Sequence, residues 1–114
     1  MWVFTKHSFI SIVASENSPG YFMIQSRFPN HIERLFPDAH VTIRRYGLYR
    51  FRTALPKHIV SQKLLDIAEG IDYQDFKNSI PDQHYQTACR DVWATLDKYT
   101  PGASKPNELD ELKP

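Results

Sequence analysis

The sequence predicts an α+β fold, a two-layer domain in which a four-stranded antiparallel sheet carries its helices on one face. Three observations lead to this prediction. Apolar and polar side chains alternate with period two in the first half of the chain. These alternating runs come in two pairs, and turn-forming residues join the two runs of each pair. In the second half, apolar residues recur every three or four positions. The predicted order is strand, strand, helix, strand, strand, helix, helix.

The first two strands are predicted to form a hairpin. Alternation places one strand over 9–14, and residues 2–4 either lead into it or pair separately across the polar stretch 5–8. The segment 15–20 is dense in turn-forming residues. The return strand is therefore expected over 21–27.

A short helix is predicted between the second and third strands. Asn30 and Glu33 match a capping box, which opens a helix over 31–36. Pro37 cannot continue that helix, because proline lacks the backbone N–H group and its ring clashes with the preceding turn.

The central feature is a second hairpin, whose strands 40–43 and 49–55 are joined at Tyr46-Gly47. Because strand side chains alternate, the second of these strands presents two different faces. The face expected in the core carries Tyr49, Phe51, Thr53 and Leu55. The opposite face carries Arg50, Arg52 and Ala54.

Helical spacing dominates the second half of the chain. One helix begins at Pro56 and Lys57 and ends at Gly70, since glycine commonly follows a helix end. A short turn over 71–77 has Asp72 as its expected cap.

The longest helix is predicted from Pro81 or Asp82 to Tyr99. Its apolar stripe has spacings of 4, 3, 4 and 3 and consists of Tyr85, Cys89, Val92, Leu96 and Tyr99. Trp93 lies beside this stripe and is expected in the core.

Length and composition narrow the class of protein. A hydrophobic content of 41% in 114 residues suffices for one domain over 1–99, and the polar remainder 100–114 is predicted to be a disordered tail. No apolar run reaches the roughly 18 residues of a membrane span, and the N-terminal residues do not resemble a signal peptide. A single cysteine excludes an internal disulfide. The sequence therefore predicts a cytoplasmic protein without membrane contact.

The formal net charge of +1 is unevenly distributed. Residues 1–57 carry eight Lys and Arg against three acids, which gives +5, and the remaining residues carry six against ten, which gives −4. Such asymmetry is typical of a surface for a polyanion. It is more commonly the sign of a strand half and a helix half that form salt bridges with each other.

Five short motifs stand out within residues 1–97. They are Met1-Trp2-Val3-Phe4-Thr5-Lys6 with Phe9-Ile10-Ser11-Ile12-Val13, Ile24-Gln25-Ser26-Arg27, Tyr49-Arg50-Phe51-Arg52, Ile71-Asp72-Tyr73 with Phe76-Lys77, and Val92-Trp93. With these motifs the chain resembles a family of short conserved hypothetical proteins of bacteria. That family has no assigned activity, so the resemblance implies a small soluble bacterial or phage-borne domain and no mechanism. Its shared arginine pattern draws attention to Arg27, Arg50 and Arg52.

The sequence carries no signature of catalysis or metal binding. Cys89 lies on an apolar helical stripe, where a thiol is commonly buried and inert, and Ser8 beside His7 lacks the glycines of a nucleophile elbow. The five histidines are scattered singly, and no glycine-rich phosphate loop is present. No catalytic residue, cofactor or metal ion is expected.

The expected binding surface consists of Arg27, Arg44, Arg45, Tyr46, Leu48, Arg50 and Arg52. Because Arg and Tyr are common interface anchors, the sequence predicts a small non-enzymatic protein that docks on a protein partner or on a second copy of itself.

Two alternatives use the same cations. One is nucleic-acid binding by phosphate pairing and base stacking, although Tyr49 and Phe51 could not stack bases if they face the core. The other is an enzyme that clamps an anionic substrate with arginines and uses His7 or His58 as general base.

Overall fold

The strands of the computed structural model, which describes residues 1–102, form one antiparallel sheet. They are β1 (Trp2–Phe4), β2 (Phe9–Ala14), β3 (Tyr21–Ser26), β4 (Thr42–Ile43) and β5 (Phe51–Pro56). The helices are α1 (His31–Leu35), α2 (Lys57–Glu69), α3 (Phe76–Ser79) and α4 (Gln83–Asp97). The α+β class is therefore confirmed. The predicted tail lies outside the described residues from position 103 onward.

The prediction of four strands is wrong, because β1 is a strand of its own and the sheet has five strands in the order β1-β2-β3-β5-β4. Trp2 pairs with Ser11 and Phe4 pairs with Phe9, so the chain reverses over residues 5–8. The polar residues there form a turn closed by a hydrogen bond of 2.8 Å from the Thr5 N–H to the Ser8 carbonyl. Of the two alternatives that the sequence left open for 2–4, separate pairing is the one observed.

The first face of the sheet builds the main core. Ile12 on β2 pairs with Ile24 on β3, and both side chains point toward α1 and α2. The helices cover them with Ile32 and Val60, which are fully buried. The buried apolar residues of the main core are Ile10, Ile12, Ile24, Ile32, Phe36 and Val60.

Helices α3 and α4 pack on the second face of the sheet, at the end where the β1–β2 turn lies. Phe4 and Phe9 alternate with Val3 and Ile10, so they point away from the main core. The second cluster consists of Phe4, Phe9, Tyr49, Phe76, Ile80, Tyr85 and Cys89. The prediction that the helices share one face is therefore wrong for α3 and α4.

Tyr85 attaches α4 to the β1–β2 turn. Its hydroxyl oxygen lies 2.6 Å from the Thr5 carbonyl oxygen and 2.7 Å from that of Ser8, and burial raises the pKa of the Tyr85 phenol far above its usual range. The hydroxyl therefore keeps its proton and donates it to these carbonyls. The helix begins where the sequence predicts because Asp82 caps it, accepting a 2.9 Å hydrogen bond from the Tyr85 N–H.

Two other predicted caps are wrong. Asn30 precedes α1 with a left-handed φ of 70°, and its side chain makes no capping hydrogen bond. The cap of α3 is Asp75, whose carboxylate accepts from the Asn78 N–H at 3.4 Å. Asp72 instead forms a salt bridge with Lys6, with 3.2 Å between the Lys6 Nζ and the carboxylate. The boundaries of α2 are as predicted.

The apolar stripe of α4 is buried only in its first half. Tyr85 and Cys89 are buried, whereas Leu96 is 63% exposed and Tyr99 is 81% exposed. Trp93 is 52% exposed, so the prediction that it lies in the core is wrong. The reason is that the second cluster ends at Cys89, about one helical turn before Trp93.

Candidate functional site

The loop between β4 and β5 holds most of the predicted binding residues. We call residues 44–50 the arginine loop. A backbone hydrogen bond of 2.6 Å from the Arg44 N–H to the Arg50 carbonyl closes it, and Gly47 provides a φ of 111° that favours glycine. Its exposed members among the predicted site residues are Arg44, Arg45, Tyr46, Leu48 and Arg50.

The strand that carries the predicted arginine face is shorter than expected. On β5, Phe51 and Leu55 pack against the main core and Thr53 is buried, as predicted. Tyr49 and Arg50 precede the strand, so the alternation does not govern them. Tyr49 joins the second cluster, and the predictions that it shares the face of Phe51 and that Arg50 lies on a strand are wrong.

Three of the predicted arginines contact residues of the arginine loop. The Arg50 Nε donates to the Arg44 carbonyl at 3.1 Å, and the Arg52 Nε donates to the Tyr49 carbonyl at 3.3 Å. The guanidinium carbon of Arg27 lies 5.3 Å from the Tyr49 ring centroid. Within residues 1–102, the terminal amino groups of these guanidinium groups have no protein acceptor, so they are available to a ligand.

No acidic side chain neutralises these cations in the described part of the chain. The sequence contains no Asp or Glu between Asp38 and Asp66. Among residues 1–102, the one salt bridge joins Lys6 to Asp72. Salt bridges between the two halves of the chain therefore do not account for the arginines of residues 27–52. A concentration of uncompensated positive charge attracts polyanions.

The sheet register continues from Arg52 across the second face as a row of uncharged side chains. Trp2 pairs with Ser11, Ser11 with Gln25, Gln25 with Arg52, and Arg52 with Thr42. Side chains that are paired across strands share a face, so these five residues form one row. Three inter-strand steps place Trp2 about 14 Å from Arg52.

Two exposed aromatic residues of the second face were missed from the sequence. Trp2 is 63% exposed and Tyr21 is 42% exposed. The Trp2 ring stands edge to face on Phe9, with 5.8 Å between the centroids, which restrains its orientation. The signal was present in β1, where Trp2 and Phe4 alternate with Val3. It could be used only once β1 was known to pair as a separate strand.

The cysteine and the histidines considered as catalytic groups offer little for catalysis. Burial raises the pKa of the Cys89 thiol, which disfavours the thiolate that a nucleophile requires. His58 opens α2 beyond the end of β5, whereas Arg50 precedes the start of that strand, so β5 separates the two. His7 lies in the turn between β1 and β2, which form one edge of the sheet, whereas the arginine loop joins β4 and β5 at the other edge. The arrangement does not favour an enzyme that combines these groups.

The buried His31 supports the end of the sheet at which the β1–β2 turn lies. The Phe9 N–H donates to the His31 Nδ1 at 2.9 Å, and the rings of His31 and Tyr85 lie 5.4 Å apart. Burial lowers the pKa of His31, so the imidazole stays neutral and can accept this hydrogen bond. Its role is to hold α1 against β2.

Within residues 1–102, no group of three or more His, Cys, Asp or Glu side chains could hold a metal ion. No helix in that part of the chain is long and apolar enough to cross a membrane. Protein-family models, curated proteins and solved structures gave no match to the chain. The resemblance to short bacterial proteins therefore stays a prediction.

Proposed function

We propose that the protein binds single-stranded nucleic acid across the arginine loop and the second face of the sheet. The observation that carries this proposal is the combination of five arginines that have no acidic partner among residues 1–102 with exposed aromatic rings on the adjoining sheet face. The arginines are Arg27, Arg44, Arg45, Arg50 and Arg52.

The two groups of side chains have different tasks in this proposal. Guanidinium groups pair with phosphate oxygens through two parallel hydrogen bonds, and the arginine loop offers them without a competing carboxylate. Trp2 and Tyr21 offer flat apolar surfaces on which bases stack. Gln25 and Thr42 lie in the row between and beside these groups, where they can form hydrogen bonds to base edges or sugars.

The sheet face favours single strands over duplexes. Stacking on a side chain requires a base that is free of its neighbours, and this is the condition in single strands, loops and bulges. The sequence predicts that Tyr49 and Phe51 face the core and cannot stack bases. In this proposal Trp2 and Tyr21, which lie on the second face, stack the bases instead.

The test is a fluorescence-anisotropy titration of a 12-nucleotide oligo(dT) at two salt concentrations. We compare the natural protein with Arg44→Gln/Arg45→Gln, whose side chains are exposed and make no described hydrogen bond. The matched control is Lys63→Gln/Lys98→Gln, which removes the same charge from α2 and from the end of α4. If both arginines contact phosphates, the slope of log K against log salt falls in magnitude by about 1.4 in the arginine variant only.

Three results would contradict the proposal. The first is no binding at low salt, and the second is equal weakening in the arginine variant and the lysine control. The third is equal binding of a polyglutamate peptide, because a peptide without bases can use the cations but not the stacking surface. That result would favour docking of an acidic protein on the arginine loop.

A second candidate function, self-association, has its own observation. Trp93 and Leu96 on the second half of α4, and Tyr99 just beyond its end, are each more than half exposed. A helix stripe that is apolar and exposed can pair with the same stripe of a second copy across a two-fold axis. Sedimentation velocity would then show a dimer that Leu96→Glu abolishes, and a concentration-independent monomer would contradict this function.

A further inference from the structure

A groove lies between α1, the end of α2 and the β1–β2 turn. It encloses about 400 Å³, which is within the size range of small-ligand pockets. Its lining includes Lys6, Arg34, Leu35, Asp66, Ile67 and Ile71. Its lining shares no residue with the nucleic-acid surface proposed above, so the two sites are separate.

The lining of this groove is apolar with charges of both signs. Leu35, Ile67 and Ile71 supply aliphatic side chains, and Ile71 is 53% exposed although it is part of the lining. When an apolar ligand covers an exposed aliphatic side chain, the free energy of the complex falls, because apolar surface is removed from water. The groove therefore favours a ligand with an apolar body.

The charges are arranged so that one cation and one anion stay uncompensated. Lys6 is paired with Asp72. Arg34 donates from Nη1 to the His7 carbonyl at 2.7 Å, and Asp66 accepts from the Gln62 amide at 3.0 Å. Among residues 1–102, neither Arg34 nor Asp66 forms a salt bridge, and they do not pair with each other.

We propose that this groove binds a small apolar zwitterion of the dipeptide class. The ligand carboxylate pairs with Arg34, the ligand ammonium pairs with Asp66, and the aliphatic side chains lie on Leu35, Ile67 and Ile71. Arg34 and Asp66 line the same groove without forming a salt bridge to each other, so a ligand with a carboxylate at one end and an ammonium at the other can pair with both. A ligand with one charge would leave the other charged group of the groove without a partner.

The experiment is an NMR titration of the full chain with three matched probes, namely Leu-Leu, N-acetyl-Leu-Leu and Leu-Leu amide. We expect Leu-Leu to bind with a dissociation constant of about 1 mM or lower and to shift amide signals of Arg34, Asp66 and Gly70. Each modified probe lacks one ion pair to an exposed side chain, so each should bind about twofold to fivefold more weakly. Equal binding of the three probes, or absence of shifts at these residues, would overturn the proposal.

Two variants assign the charges individually. In Asp66→Asn, the amide can still bond to Gln62, and the preference for Leu-Leu over its acetylated form should disappear while the preference over the amide form persists. Arg34→Gln should give the reverse pattern, and Asp91→Asn on the exposed side of α4 should change neither preference. If Asp66→Asn keeps the full preference for the free ammonium, the proposal is wrong. The comparison of the three probes on the natural protein stays decisive even if a variant fails to fold.

Discussion

The two faces of the sheet follow the same alternation of side chains but meet different neighbours. On the first face, α1 and α2 cover the strands, and Ile10, Ile24 and Val60 are fully buried. On the second face, α3 and α4 cover only the end marked by Phe4 and Phe9. The rest of that face leaves aromatic and aliphatic side chains in contact with solvent.

This difference separates the residues that stabilise the fold from those proposed to bind. The covered face removes apolar surface from water and so contributes most of the hydrophobic free energy. The partly covered face keeps Trp2, Tyr21 and Arg52 accessible, and the adjoining arginine loop adds positive charge. The groups proposed to bind nucleic acid therefore lie on the face where their burial was not needed for folding.

The sharpest test of this contrast uses two neighbours in β2. Ile12 points into the main core and is 6% exposed, whereas Val13 points to the second face and is 40% exposed. We expect Ile12→Ala to lower the free energy of unfolding by about 2–5 kcal/mol, and Val13→Ala by less than about 1 kcal/mol. Urea unfolding measures both. Equal losses would show that the second face is also part of the core.

The attachment of α4 to the β1–β2 turn should have the next largest effect. Tyr85→Phe removes the hydroxyl that lies within hydrogen-bond distance of the carbonyl oxygens of Thr5 and Ser8. We expect the free energy of unfolding to fall by about 1–2 kcal/mol. Tyr99→Phe is the control, because that side chain is 81% exposed. A loss no greater than that of the control would contradict the anchoring role.

The histidine beneath Phe9 makes stability depend on pH. Burial lowers the folded-state pKa of His31 below its ordinary value of 6.5, so the unfolded chain binds the proton more readily. Its contribution to stability is present above pH 6.5 and is lost as the pH falls below that value. His31→Gln can keep an acceptor for the Phe9 N–H and should flatten the dependence of the unfolding free energy between pH 7 and 5. An unchanged dependence would assign it to other groups.

The smallest expected effect is at Trp93. Its ring is half exposed and contacts the Lys77 ammonium, with 4.0 Å between the Lys77 Nζ and the ring centroid. An exposed cation–π contact of this kind contributes about 0.5–1 kcal/mol to the free energy of unfolding. We therefore expect Trp93→Ala to lower the free energy of unfolding by no more than about 1 kcal/mol in thermal or urea unfolding. A loss of several kcal/mol would restore the core role expected from the sequence.

Local patterns predicted much of the fold. The bounds of β2, the start of α2 at Lys57 and the cap of α4 at Asp82 follow from alternation, proline placement and capping chemistry. These signals act between residues that are close in sequence. They are therefore readable without knowledge of the tertiary structure.

Features that depend on distant contacts were not predictable in the same way. The stripe on α4 has regular spacing to Tyr99, but its burial depends on where the second cluster ends. The place of Arg50 depends on the length of the arginine loop, which a single glycine does not determine. Trp2 became a candidate site residue only through its pairing with Ser11.

The most direct test of the central claim uses the two tryptophans of the chain. Trp93→Phe leaves Trp2 on the second face as the single tryptophan, and Trp2→Phe leaves Trp93 on α4. If bases stack on the second face, oligo(dT) should quench the Trp2 fluorescence in proportion to the bound fraction measured by anisotropy. The Trp93 signal should stay unchanged. Binding that leaves the Trp2 fluorescence unaltered would contradict a nucleic-acid surface on this face.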